Sequence, residues 1–219
     1  MHLLTLSQIL HYKLECDQLD LVPTELKFEG FKIYLDSFLR PFQIRIAQKN
    51  TTVEYEFSYG GLECDDLSTG RTKAQICTDF RIYDCILFNL LSNAVNHCPS
   101  NSKVTIKISF EESDSPNFSG KLWTEITNDG SFKDCKNNRA DLNFKTFQIG
   151  EPEMDDERFL KTVGIGLSTS EALSSHMGGE LHLKSIKNLS GQSVATKVKF
   201  SVLTCTKENF KDFSAFVKQ

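Results

Sequence analysis

The sequence predicts an α/β two-layer sandwich: a mixed sheet covered on one face by helices and carrying a long lid. Three observations lead there. Segments with apolar residues at helical spacing are interleaved with segments whose apolar residues fall at every second position. Such a mixture buries itself best as a helical layer on a sheet. A polar stretch over 128–163 has little periodicity and is longer than a connection inside a domain needs, which marks a lid or binding loop. With 39% apolar and 25% charged residues among 219, the chain has the balance of a soluble protein that buries an ordinary core.

The elements follow in order. Leu3, Leu6, Leu10 and Leu14 make a helix-like stripe that ends before Asp17–Pro23. Apolar positions 28, 31, 35, 38, 39, 42 and 46 predict an amphipathic helix, which Pro41 kinks or tightens. Val53, Tyr55 and Phe57 alternate with Glu54 and Glu56, a half-buried strand. Residues 58–76, with Gly60, Gly61 and Gly70, read as a surface loop. Asp79 is placed to cap a helix running to about His97, with Ile82, Ile86, Leu90 and Leu91 on its buried side. Alternation returns at Val104–Phe110 and Leu122–Ile126. After the polar stretch come a glycine-led helix over 164–177, the pair Gly178–Gly179, and strands at 180–186 and 194–202.

Charge and cysteines narrow the function classes. Lys and Arg total 25 against 29 Asp and Glu, so no global basic field points to nucleic acid. No apolar run approaches the ~20 residues that span a bilayer, and residues 1–15 lack the basic start and small-residue cleavage site of a signal peptide. The seven cysteines are dispersed, with no CxxC pair and no Cys/His cluster at metal spacing. That pattern favours free thiols in a reducing compartment, and a cytoplasmic protein is expected.

Three features carry chemistry. In FNLLSNAVNHC, Asn89, Asn93 and Asn96 fall at i, i+4 and i+7, on one side of a helix. Amide oxygens are hard ligands suited to Mg²⁺, which shares its shell with substrate phosphates; a solvated polar face fits the same spacing. Thr127-Asn128-Asp129-Gly130 follows a strand and offers an acceptor for a purine amino group at the sheet's end; an ordinary turn also fits. Val163-Gly164-Ile165-Gly166-Leu167 opens a helix whose free N–H groups and dipole favour a phosphate. It is no dinucleotide fingerprint, since Thr169 replaces the third glycine. GxxxxGK[ST], HRD and DFG are all absent, which excludes P-loop and eukaryotic-type kinase readings.

Taken in order, these motifs resemble the ATP-binding domain shared by sensor histidine kinases, DNA gyrase, the heat-shock chaperone of ninety kilodaltons and the mismatch-repair ATPases. The histidine-kinase branch is nearest. TDFRIYDCILFNLLSNAVNHCPSNSKVTIKI resembles that branch's asparagine box with its following strand, ITNDG its first glycine box, FKTFQIG its phenylalanine motif, and TVGIGLSTSEALSSHMGGELHLKS its second glycine box. The resemblance implies residues 1–22 as the end of a dimerisation-type helix and linker, 23–205 as the ATP-binding domain and 206–219 as a C-terminal tail. It implies ATP and Mg²⁺ as ligands, Asn93 as the magnesium ligand, and Asn89 in support one turn earlier. Asn128 and Gly130 would meet the adenine, with Thr196 helping through water. Gly164, Ile165, Gly166 and Leu167 would hold the phosphates, and Phe144 and Phe147 would anchor the lid. Lys161 at the lid's end is a further candidate phosphate contact; a solvated lysine fits there equally. The implied partners are a histidine-containing dimerisation or phosphotransfer segment, a response-regulator receiver domain, and a second copy through the N-terminal helix.

The chain departs from the family pattern at informative places. Asn128 stands for an Asp, Asn96 for a Lys or Arg, Phe132 for a glycine, and Thr162 for another. Asn89 occupies the point where the ATPase members carry a water-activating Glu, and an amide cannot take a proton. Slow hydrolysis and transfer of the γ-phosphoryl group to an imidazole are therefore expected. No H-E-x-x-x-P phosphoacceptor occurs, so the acceptor is expected on another chain or on a missing portion of a longer protein. A degenerate nucleotide-binding or scaffolding module without turnover is the alternative.

Overall fold

Val104, Ile106, Ile108 and Phe110 are buried, while Thr105, Lys107 and Ser109 between them are half covered. A strand so patterned puts one face on a core and the other toward water. The computed structural model describes residues 9–10, 12–14, 16, 18–64, 75–115, 118–129, 157–187, 193–206 and 208–217, with side chains left aside at 157–165, 193, 211, 214, 216 and 217. Its elements are β1 (Thr24–Lys27), α1 (Phe31–Phe38), α2 (Gln43–Lys49), β2 (Thr52–Tyr59), β3 (Leu62–Glu63), β4 (Gln75–Thr78), α3 (Phe80–His97), β5 (Lys103–Glu112), β6 (Gly120–Asp129), α4 (Glu157–His176), β7 (Leu181–Lys187), β8 (Ser193–Thr204) and α5 (Phe210–Val217).

Six strands form one sheet in the order β3-β2-β5-β6-β8-β7, and β1 pairs with β4 in a separate ladder. The β2–β5 ladder is parallel and the others in that sheet are antiparallel. This is the mixed sheet that the alternating segments predict. An isolated bridge between Cys77 and Cys205 joins the small ladder to the end of β8.

The inner face carries the core. Tyr83 on α3 is fully buried, its ring 5.4 Å from that of Phe200, and its hydroxyl lies 2.6 Å from Thr124 Oγ1 on β6. Phe28, Phe31 and Leu35 seal the β2 side, and Leu173 and Met177 on and after α4 seal the β7–β8 side. The outer face is charged: Lys103 pairs with Glu54 at 2.5 Å, Lys197 with Glu125 at 2.7 Å, and Lys199 lies 3.7 Å from the centre of the Trp123 ring. Among the described residues, helices therefore cover one side only.

Asp79 starts α3 as its sequence context predicts. Its carboxylate accepts from the N–H groups of Arg81 (3.0 Å) and Ile82 (3.4 Å), and also from Val22 N and the Arg81 guanidinium, each at 2.7 Å. Fully buried, it ties the segment before β1 to the helix. At the end of α4, Gly178 takes φ +66° and Gly179 N donates to Ser174 O at 2.9 Å, closing the last turn. A Cβ at Gly179 would lie 1.8 Å from Ser201 O, so β8 requires a glycine there.

Several expectations need correction. The run from Phe28 to Lys49 is broken rather than continuous: short 3-10 turns at Phe28–Gly30 and Arg40–Phe42 flank α1, the second at Pro41 as proline geometry demands. The expected loop 58–76 includes the end of β2, all of β3 and the start of β4. β6 extends to Asp129, so Asn128 belongs to the strand rather than to a turn after it. Residues 206–219 include α5, with Phe210 and Phe213 buried against the core. The helix expected to begin at Gly164 begins at Glu157 and passes through both glycines.

Candidate functional site at the asparagine helix

The site lies where α3 meets α4 and the inner face of β6 and β8. The apolar side of α3 is spent on the core, and Asn89 faces α4. Asn89 is 7% exposed. Its Nδ2 donates to Gly166 O and to Ser170 Oγ, each at 3.3 Å, and Ser170 Oγ donates to Gly166 O at 2.7 Å. A Cβ on Gly166 would come within 3.6 Å of the Asn89 side chain, an ordinary contact. One amide thus links the asparagine helix to the glycine helix.

Asn93, one turn later, is half buried, and its side chain makes no hydrogen bond among the described residues. Its neutral hard oxygen is uncommitted and fits a magnesium ion that shares oxygen ligands with phosphates. Asn96 is different: its Nδ2 donates back to Ser92 Oγ at 3.2 Å. Beside it, the Lys49 ammonium from α2 donates to Asn96 O at 2.6 Å and Cys98 O at 2.7 Å, closing the C-terminal carbonyls of α3. Burial and that ammonium together hold the His97 imidazole below its ordinary pKa.

Asn128 and Thr196 are partners in the β6–β8 ladder, both buried on the helical face. Asn128 Nδ2 donates to Asp129 O at 3.1 Å. Asp129 points to the opposite face, where its Oδ2 accepts from Lys103 N at 2.8 Å. Leu167 is buried in the core. Gly164, Ile165 and Lys161 fall on the helical backbone of α4, and Gly130, Phe132, Phe144 and Phe147 lie outside the described residues.

A family model described as histidine kinase-, DNA gyrase B-, and HSP90-like ATPase matches residues 80–204, from the first residue of α3 to the last of β8. The chain belongs to this family. No curated protein matches the sequence significantly. Among solved structures, the Acinetobacter baumannii histidine kinase AdeS superposes with TM-score 0.54 at 16% identity, covering 91% of this chain and 76% of its own. The catalytic domain of histidine kinase ThkA gives 0.53 at 15%, covering 84% and 97%. Full-length ShkA, in complex with AMPPNP, gives 0.57 at 17%, covering 94% of this chain and 36% of its own. At these identities the likeness is one of fold.

For this ATPase-family chain, the sequence missed two contributors to the site. Ser170 lies one turn after Gly166, a spacing visible in the sequence, but its link to Asn89 crosses 81 residues and needs the fold. Lys49 gave no local signal, because it acts on the helix end 47 residues downstream. In the structure, the N–H groups of residues 164–167 sit inside α4, where each is used by the carbonyl four residues earlier. Two glycines weaken that stretch by roughly 2 kcal/mol relative to alanines.

Proposed function

We propose that this chain is the ATP-binding catalytic domain of a sensor or hybrid histidine kinase. It would bind Mg-ATP between α3 and α4 and pass the γ-phosphoryl group to a histidine on another segment or chain. One observation carries the reading: the amide of Asn89 holds the two motif helices together while the amide of Asn93, one turn on, is uncommitted among the described residues. Magnesium, when bound, supplies charge neutralisation for the triphosphate. Asn93 Oδ1 would ligate it, and the N–H groups of Gly164, Ile165, Gly166 and Leu167 would hold phosphate oxygens once the first turns of α4 open. Lys161 would add a cation from the same stretch, whereas Asn96 contributes to that shell only if its amide leaves Ser92. Asn128, Gly130 and Thr196 would receive the base.

Position 89 favours transfer over hydrolysis. An amide cannot deprotonate water, whereas a neutral imidazole is already nucleophilic and needs positioning more than a base. The partners in this reading are a histidine-bearing dimerisation helix, a receiver domain downstream, and a second copy through the N-terminal segment; the cytoplasm is the expected location. Among the described residues, no helix is long and apolar enough to cross a membrane. The test supplies a dimerisation domain in trans with γ-labelled ATP. Acid-labile, base-stable label on that domain supports the reading.

A module of the same family without turnover is the second reading. It is favoured by the continuous helix through Gly164 and Gly166 and by the Asn96 amide turned onto Ser92. Nucleotide binding with no label transferred supports it.

A further inference from the structure

Granting that a nucleotide occupies the site as proposed, we infer that the site accepts 6-oxopurine triphosphates alongside ATP, because the group that meets the purine edge is a reversible carboxamide. The adenine edge presents a donor, the 6-amino group, beside an acceptor, N1. The hypoxanthine and guanine edges present the reverse, an acceptor at O6 beside a donor at N1. A carboxylate has acceptors only and opposes O6. A carboxamide has one of each, and half a turn about its terminal bond exchanges them.

The surroundings of Asn128 permit that turn. Among the described residues its side chain makes one hydrogen bond, Nδ2 to the adjacent Asp129 carbonyl at 3.1 Å, so no network locks the amide. As placed, Oδ1 is the free acceptor and suits adenine; the turned amide suits a 6-oxo edge at the loss of one neutral bond. Across the ladders from Asn128 stand Thr196 and then Ser185, both neutral side chains. No fixed charge lies in that row.

The neighbouring carboxylate does not restore selection for adenine. In the sequence Asn128-Asp129, a carboxylate stands only one position away. The structure sends it to the other face of β6, exposed and bonded to Lys103 N at 2.8 Å. A strand's side chains alternate, so Asp129 reaches the purine only if the register slips by one residue.

The experiment measures dissociation constants for ATP and ITP by displacing a fluorescent ATP analogue, with magnesium, on the whole chain and on Asn128→Asp. ITP differs from ATP only at this edge. The wild-type chain should bind ITP within about tenfold of ATP, and Asn128→Asp should widen the ratio to about a hundredfold. Rejection of ITP by the wild-type chain beyond tenfold overturns the inference while leaving the nucleotide site standing, and so does an unchanged ratio in a folded Asn128→Asp. Failure to bind ATP at all overturns both. If Asn128→Asp does not fold, the wild-type ratio alone decides.

Discussion

Asn89 Nδ2 lies 3.3 Å from the carbonyl oxygen of Gly166, 77 residues further along the chain, and the same nitrogen reaches Ser170 Oγ. This pair makes one amide both a structural tie and a wall of the proposed nucleotide site. Asn93, one turn away, carries no such duty. The two asparagines should therefore separate on mutation. Asn89→Ala removes the hydrogen bonds to Gly166 O and Ser170 Oγ and should cost about 2 kcal/mol, read as a lower denaturation midpoint. Asn93→Ala should change stability by less than about 0.5 kcal/mol. Equal losses in both variants contradict this division of labour.

Asp79 accepts five hydrogen bonds while fully buried, from Val22 N, Arg81 N, Ile82 N and both Nε and Nη2 of the Arg81 guanidinium. Asp79→Ala should destabilise by about 3 kcal/mol, the sum of a lost cap and of donors left unpaired. Thermal unfolding checks it, and a loss under 1 kcal/mol would place the start of α3 on packing alone.

Gly179→Ala should be among the most damaging small substitutions, since its Cβ would fall 1.8 Å from Ser201 O, a backbone atom of β8. A loss of about 3 kcal/mol or failure to fold is expected. Gly61→Ala, by contrast, starts from a left-handed glycine, φ +81°, but meets nothing within 4 Å; it should cost only about 1 kcal/mol.

Asp84 on α3 accepts the Tyr34 hydroxyl from α1. Burial raises its pKa to about 6, more than the Tyr34 bond lowers it. The folded state thus holds the proton more tightly than the unfolded chain, whose carboxyl titrates near ~4. Its stabilising contribution is complete below about pH 4 and is lost as pH rises through about 6. Asp84→Asn should flatten this decline in denaturation curves taken across that window. An unchanged slope would assign the pH dependence to another group.

Much of this architecture was legible because its causes are local. The cap at Asp79, the alternation in β2, β5 and β6 and the break at Pro41 all depend on residues within a turn or two. β1 and β4 left no trace because each is four residues long and their one ladder is with each other, Thr24 with Thr78 through Lys27 with Gln75. α5 escaped notice because the stripe of Phe210, Phe213 and Phe216 covers barely two turns, too short to distinguish from a tail. The start of α4 was misjudged for a physical reason. Glycines at 164 and 166 argue for a helix end, yet Arg158, Leu160 and Lys161 before them are good helix formers, and the helix runs on through. In the site, the spacing of the asparagines was readable, but their separate fates depended on Ser92, Ser170 and Gly166, contacts that only the fold supplies.

The central claim is tested most directly by titrating the chain with a fluorescent ATP analogue, with and without magnesium, beside Asn93→Ala. Saturable micromolar-to-millimolar binding is expected, tightened by magnesium and weakened about tenfold by the substitution, with the unfolding midpoint of the variant unchanged. No saturable binding, or binding that ignores both magnesium and Asn93, would contradict the account.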